Sequence, residues 1–92
     1  MSSGVTIWKM GKFILVMLNK SITLGGSNTW IEVESGLPNP ANGVAPNVCN
    51  ADNSKYFGRI LVTQTGVLQV YFPSITTIGT YIVQGNFAYF EN

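Results

Sequence analysis

From Val5 to Leu24 the hydrophobic pattern reads as extended backbone. Val5 to Trp8 and Phe13 to Asn19 are rich in β-branched and aromatic residues. They flank Lys9-Met10-Gly11-Lys12, where Gly11 supplies the positive φ of a hairpin turn. The second segment is apolar on both faces: Phe13, Leu15 and Met17 point one way, and Ile14, Val16 and Leu18 the other. Antiparallel strands normally keep one wet face, so this one predicts a core on one side and a second covering surface on the other. Ser21 to Leu24 is a further short strand or a continuation, closed by the turn cluster Gly25-Gly26-Ser27-Asn28. Thr29 to Val33 alternates again, with Trp30, Glu32 and Glu34 on one side and Ile31 and Val33 on the other.

Further on, Phe57 to Thr63 and Val67 to Phe72 form the clearest hairpin, joined through Gln64-Thr65-Gly66 and stopped by Pro73, which cannot donate to a ladder. Thr80 to Val83 and Phe87 to Phe90 read as one kinked strand or as a hairpin around Gln84-Gly85-Asn86. Apolar residues nowhere recur at helical spacing with capping signals. Seven or eight short strands with Gly, Pro and Asn turns predict an all-β fold, an antiparallel β-sandwich of jelly-roll type.

One stretch breaks the pattern. Ser35 to Lys55 has no hydrophobic period and holds Pro38, Pro40 and Pro46 with Asn39, Asn42, Asn47, Asn50 and Asn53. Loops longer than roughly 12 to 15 residues are usually functional or disordered. Because both ends are anchored between strands, this one is expected to be an ordered excursion that contacts a ligand. Trp30 and Tyr56 bracket it, and Asp52-Asn53-Ser54 is a turn whose side chains also suit sugar hydroxyls. Trp30, Tyr56, Asp52 and Asn53 are therefore the candidate ligand-binding residues.

Composition limits the partners. The chain has 92 residues, 46% apolar and only 10% charged, against about 25% charged in a typical soluble domain. A single domain of this size, residues 1–92 with Met1 to Gly4 read as a cloning remnant, buries only about 60 to 65% of its unfolded surface. A short, apolar, charge-poor chain is best reconciled with a homo-oligomer, whose contacts resemble a core cut in half. The outward set Phe13, Leu15 and Met17 is the candidate oligomer interface. The longest apolar run, Phe13 to Leu18, is far short of the roughly 20 residues of a spanning helix, so membrane insertion is not expected, and no signal peptide is visible. Five scattered cations, Lys9, Lys12, Lys20, Lys55 and Arg59, and a net charge of +1 give no nucleic-acid footprint.

Candidate chemistry is thin. Histidine is absent, and the acids are Glu32, Glu34, Asp52 and Glu91. Glu32 and Glu34 lie two apart on one strand, on one face and about 6 to 7 Å apart, whereas glycosidase carboxyls flank the bond from opposite sides. Too few oxygens gather for a cation site. Cys49, alone and without a histidine, supports neither a disulfide nor a zinc site and reads as a small hydrophobe. Gly25-Gly26-Ser27 has no following helix or Lys and is not a phosphate loop. Asn19-Lys20-Ser21 matches the glycosylation triplet only as a short pattern. No enzymatic activity, cofactor or metal is expected. Trp8, Phe13, Phe57, Phe72, Phe87 and Phe90 are expected in the core or in a subunit contact.

The order of features carries a resemblance. Ile7-Trp8-Lys9-Met10-Gly11-Lys12-Phe13-Ile14-Leu15-Val16 is followed by Ser35-Gly36-Leu37-Pro38-Asn39-Pro40. Then come Gly58-Arg59-Ile60-Leu61-Val62-Thr63-Gln64-Thr65-Gly66-Val67-Leu68-Gln69-Val70 and a last strand ending Ala88-Tyr89-Phe90. Over nearly the whole chain this order resembles the C-terminal head domains of bacteriophage and prophage tail-fibre and baseplate receptor-binding proteins. Many such heads carry a second proline after an aromatic and a basic residue; here Pro40 follows Pro38 with only Asn39 between them. The resemblance implies a homotrimeric sandwich at the virion's tail tip, acting outside the cell. It would adjoin other tail or baseplate proteins and recognise host cell-surface saccharide or another envelope polymer. The alternatives are a structural trimerisation module without host contact, and a carbohydrate-binding module of a secreted enzyme, for which a monomer is expected.

Overall fold

The computed structural model describes residues 4–25 and 29–92. Residues 26 to 28 of the expected turn Gly25-Gly26-Ser27-Asn28 lie outside the described residues, as does most of the supposed remnant, residues 1 to 3. Among the described residues the structure is all-β and helix-free. Its strands are β1 (Val5–Met10), β2 (Phe13–Leu24), β3 (Ile31–Glu34), β4 (Ala45–Ala51), β5 (Tyr56–Val62), β6 (Leu68–Tyr71) and β7 (Gly79–Phe90). They form one antiparallel seven-stranded sheet in the order β1-β2-β7-β4-β5-β6-β3, curled so that its concave side encloses a single core.

The ladder between β2 and β7 organises the rest. Both strands have 12 residues, and they pair without a break from Phe13↔Phe90 to Leu24↔Gly79. Ser21 to Leu24 is thus the continuation of β2, and the tail is one strand, not a hairpin around Gly85. β1 covers the Phe13 to Leu18 half of β2. On the other side, β4 meets β7 only at Asn50↔Gln84 and Ala51↔Val83. From that short junction β4, β5, β6 and β3 curl away, and their inner side chains, among them Ile60, Val62, Leu68 and Val70, pack in one cluster with Ile14, Val16, Leu18, Val83 and Phe87.

The expected long loop is corrected most sharply. Ser35 to Lys55 is not without regular structure, because its second half is the interior strand β4, paired with β5 from Ala45↔Val62 to Ala51↔Tyr56. It escapes a hydrophobic period because its buried positions are small: Ala45, Cys49 and Ala51. Cys49 faces Gly58 across the ladder, and a Cβ at Gly85 would stand 3.0 Å from the Cys49 Cβ. The curl is tight there, leaving no room for the branched residues that advertise a strand.

Pro46 is also unusual inside a sheet. The Asp52 amide donates to the Ile82 carbonyl at 2.9 Å, so by the antiparallel alternation positions 46, 48 and 50 also turn their nitrogens toward β7. At 46 and 48, where β7 has diverged, Pro46 has no N–H, and the Val48 N–H donates instead to Asn47 Oδ1 at 2.8 Å. No donor is left waiting for the missing strand.

The first half of the segment is a strap across the end of the sheet. The Leu37 N–H donates to the Gly66 carbonyl at 3.0 Å, the Ala41 N–H to the Phe90 carbonyl at 2.8 Å, and the Asn92 N–H to the Asn39 carbonyl at 2.8 Å. Tyr89 Oη donates to the Pro38 carbonyl at 2.8 Å, and Leu37 is buried in the core. The prolines preset this extended path, and the strap ties the β5–β6 turn to the end of β7.

Two glycines with the same φ of +83° separate backbone strain from contact: a Cβ at Gly36 meets nothing within 4 Å, but at Gly66 it would lie 2.1 Å from the Leu37 carbonyl. Gly36→Ala should cost about 1 to 2 kcal/mol, the left-handed penalty alone. Gly66→Ala should cost clearly more, above about 3 kcal/mol, because it also dislodges the strap. Urea midpoints of the two variants check this; equal losses would show that the strap does not lie on Gly66.

Candidate functional site

Trp30, Tyr56, Asp52 and Asn53 do not converge. Tyr56 has the parity of Ile60 and Val62 and packs half-buried against the core, edge-on to Tyr81 with ring centroids 5.6 Å apart. The Lys55 ammonium stands 5.6 Å from its ring centre. Trp30 lies on the convex face, tilted against Tyr71 at 5.4 Å. Asp52, Asn53 and Ser54 form the β4–β5 turn with φ of 52°, 55° and 70°. Asp52 Oδ1 accepts the Ile82 N–H at 3.0 Å, and the Asp52 carbonyl accepts the Lys55 N–H at 3.2 Å. This carboxylate extends the β4–β7 junction by one rung, so its structural role is explicit.

The oligomer candidates Phe13, Leu15 and Met17 are half-buried on the convex face, while Ile14, Val16 and Leu18 are in the core. The doubly apolar strand thus has the two faces its sequence implies. Of the six aromatic residues expected in the core or a subunit contact, Phe72 and Phe87 are buried in the core, and Trp8, Phe57 and Phe90 stand exposed on the convex side. The Glu32 and Glu34 pair is corrected: a bulge between them puts Glu34 opposite the buried Leu68, while Glu32 stays opposite Gln69. The two carboxylates therefore do not share a face. No group of three or more metal-ligating side chains occurs among the described residues.

Strand register sorts the convex face into two zones. Near the β1–β2 turn, the rows Trp8–Leu15–Ala88 and Met10–Phe13–Phe90 lie side by side across β1, β2 and β7. Trp8 is 60%, Met10 69% and Phe90 64% exposed, and Phe13 and Phe90 meet edge-to-face at 5.8 Å. This is a continuous apolar patch on a charge-poor chain.

The second zone is polar. Asn19 pairs with Gln84, Gln84 with Asn50 and Asn50 with Phe57, so three carboxamides and an aromatic ring form one row across β2, β7, β4 and β5. The neighbouring row holds Val48, Arg59 and Tyr71, with Trp30 on Tyr71. A hollow of about 350 Å³ is lined by Leu18, Asn19, Asn50, Gln84, Gly85 and Asn86. Asn50 Oδ1 is buried there without a hydrogen-bond partner. A larger hollow of about 450 Å³ beside the strap is lined by residues such as Asn39, Gln64 and Asn92, and neither of these two hollows has an aromatic residue in its lining. The row was hidden in the sequence because it depends on the register of β4, and β4 has no readable period.

Cys49 is buried, and burial alone pushes its thiol from 9.0 up to about 12. Burial, then the Glu91 charge, raises the Tyr89 hydroxyl from 10.0 to about 12. These are inert groups in a packed wall.

Comparison with protein-family models, with curated proteins and with solved structures found no match for this chain.

Asp52→Asn keeps an acceptor and tolerates the left-handed backbone, whereas Asp52→Ala loses both, so we expect little change for the first and a loss of about 1 to 3 kcal/mol for the second. Thermal or urea unfolding decides between this and a residue held for ligand alone, which would leave stability unmoved. The raised pKa values carry a sign as well. Between pH 9.0 and about 12 the unfolded chain releases the Cys49 and Tyr89 protons while the folded chain retains them. The contribution of these two groups to stability is therefore full below pH 9.0 and is lost as the pH rises through this window. Cys49→Ala should flatten the early part of that fall in urea midpoint against pH; an unchanged profile would contradict it.

Proposed function

We propose that this chain is the receptor-binding head of a phage tail fibre or baseplate protein: a trimeric, jelly-roll-like β-sandwich that holds host-surface saccharide during adsorption. The observation that carries the proposal is the division of the convex face into an apolar zone and a carboxamide–aromatic zone.

Trp8, Met10, Phe13, Leu15 and Phe90 supply the kind of apolar surface that a neighbouring copy covers, and large exposed patches on small domains mark interaction sites. Burial of that zone also accounts for the low charge content, because it removes surface that charges would otherwise have to solubilise. The carboxamide zone stays free for an outside partner. A purely structural trimerisation module uses the first zone equally well but leaves the second without a role, which favours the binding reading.

The purified chain should sediment at three times the mass of one chain. Joint Trp8→Lys and Phe90→Lys substitution should dissociate it and abolish retention on host envelope polysaccharide. A chain that stays monomeric at all accessible concentrations and is not retained by envelope polymer would contradict the proposal.

A further inference from the structure

We infer that the row Phe57–Asn50–Gln84–Asn19 is a binding subsite for a neutral, hydroxyl-rich ring, that is, an uncharged hexopyranose unit. The inference rests on the saccharide-binding reading above and assigns it to residues other than the loop candidates.

The first argument is the donor and acceptor set. Each carboxamide offers one carbonyl oxygen and two N–H donors, so Asn19, Gln84 and Asn50 in neighbouring strands, about 4.8 Å apart, present both kinds of group at the spacing of sugar hydroxyls. A carboxylate or phosphate needs only donors and would leave the amide oxygens unpaired. Asn50 Oδ1 is already buried and unpartnered. That oxygen is closed to the outside, so the row meets a ligand through its remaining carboxamide groups, which donate and accept as sugar hydroxyls do.

The second argument is the ring beside it. Amide 50 points toward β7, so Asn50 and Phe57 form the non-hydrogen-bonded type of antiparallel pair, the closer of the two at about 4.5 Å between Cα atoms. Phe57 is 69% exposed. Its face is thus offered next to the carboxamides, where the C–H face of a pyranose buries apolar area while its edge hydroxyls reach the amides. The hollow lined by Leu18, Asn19, Asn50, Gln84, Gly85 and Asn86 lies beside the row, with Phe57 outside its lining. Within the row the side chains are uncharged, and Arg59 lies in the next row, between Val48 and Tyr71.

The test is two-dimensional NMR of the isotope-labelled full chain, titrated with methyl α-glucopyranoside, methyl β-galactopyranoside and N-acetylglucosamine, with polygalacturonate as the anionic arm. At least one neutral sugar should shift the side-chain NH2 signals of Asn50, Gln84 and Asn19 at millimolar concentration. Phe57→Ala and Asn50→Ala should each weaken that binding about tenfold or more. Phe57 is exposed, so its variant should keep the wild-type fold, which the backbone spectrum reports directly. If none of the neutral sugars moves these signals, if only polygalacturonate does, or if both variants bind as tightly as the parent, the assignment is overturned. Retention on host envelope polysaccharide that survives both variants would overturn this subsite while leaving the receptor-binding proposal standing.

Discussion

The structure depends on the unequal pairing of β7. On one side it is matched to β2 along its whole length, and on the other it touches β4 at two rungs, Asn50↔Gln84 and Ala51↔Val83. A sheet that continues through so narrow a junction is free to curl, and the twist of its strands carries β4, β5, β6 and β3 round until both inner surfaces share one core. Asp52 reinforces the junction by replacing a carbonyl with a carboxylate at Ile82. The strap from Leu37 to Ala41 then fixes the far end, joining the Gly66 turn to Phe90. A small domain with little area to bury gains its closure from these few hydrogen-bonded joints as well as from the core.

Much of this was legible in the sequence. The apolar alternation in β2, β5 and β6 marks strands whose buried faces carry Ile, Val and Leu, and Gly11 and Gln64-Thr65-Gly66 place their turns. β4 was not legible, for a physical reason: the inner wall is so close at Cys49, Gly58 and Gly85 that only small residues fit. Hydrophobic periodicity fails wherever curvature rather than side-chain volume fills the core. Pro46 added to the disguise, since a proline is expected to exclude an interior strand and does not where the neighbouring strand has already diverged.

The candidate site shows the same limit. Trp30, Tyr56, Asp52 and Asn53 are near one another in a reading that treats Ser35 to Lys55 as one loop. Once β4 is placed, Tyr56 turns to the core side, Trp30 to the convex side, and Asp52 to the backbone of β7. The residues that do form a continuous polar row, Asn19, Asn50 and Gln84, come from three strands and acquire meaning only through register. Phe13, Leu15 and Met17, in contrast, were legible as a second apolar face of β2, because a doubly apolar strand is a local signal.

The carboxamide–aromatic zone of the convex face follows from β4 lying between β5 and β7 with Asn50 beside both Phe57 and Gln84. Inter-strand nuclear Overhauser effects test this placement directly. The account predicts a strong Hα–Hα effect between Asn50 and Phe57 and amide contacts from Asn50 to Gln84 and from Asp52 to Ile82. Absence of these contacts, with only sequential effects across Ala45 to Ala51 as in an unpaired loop, would contradict it.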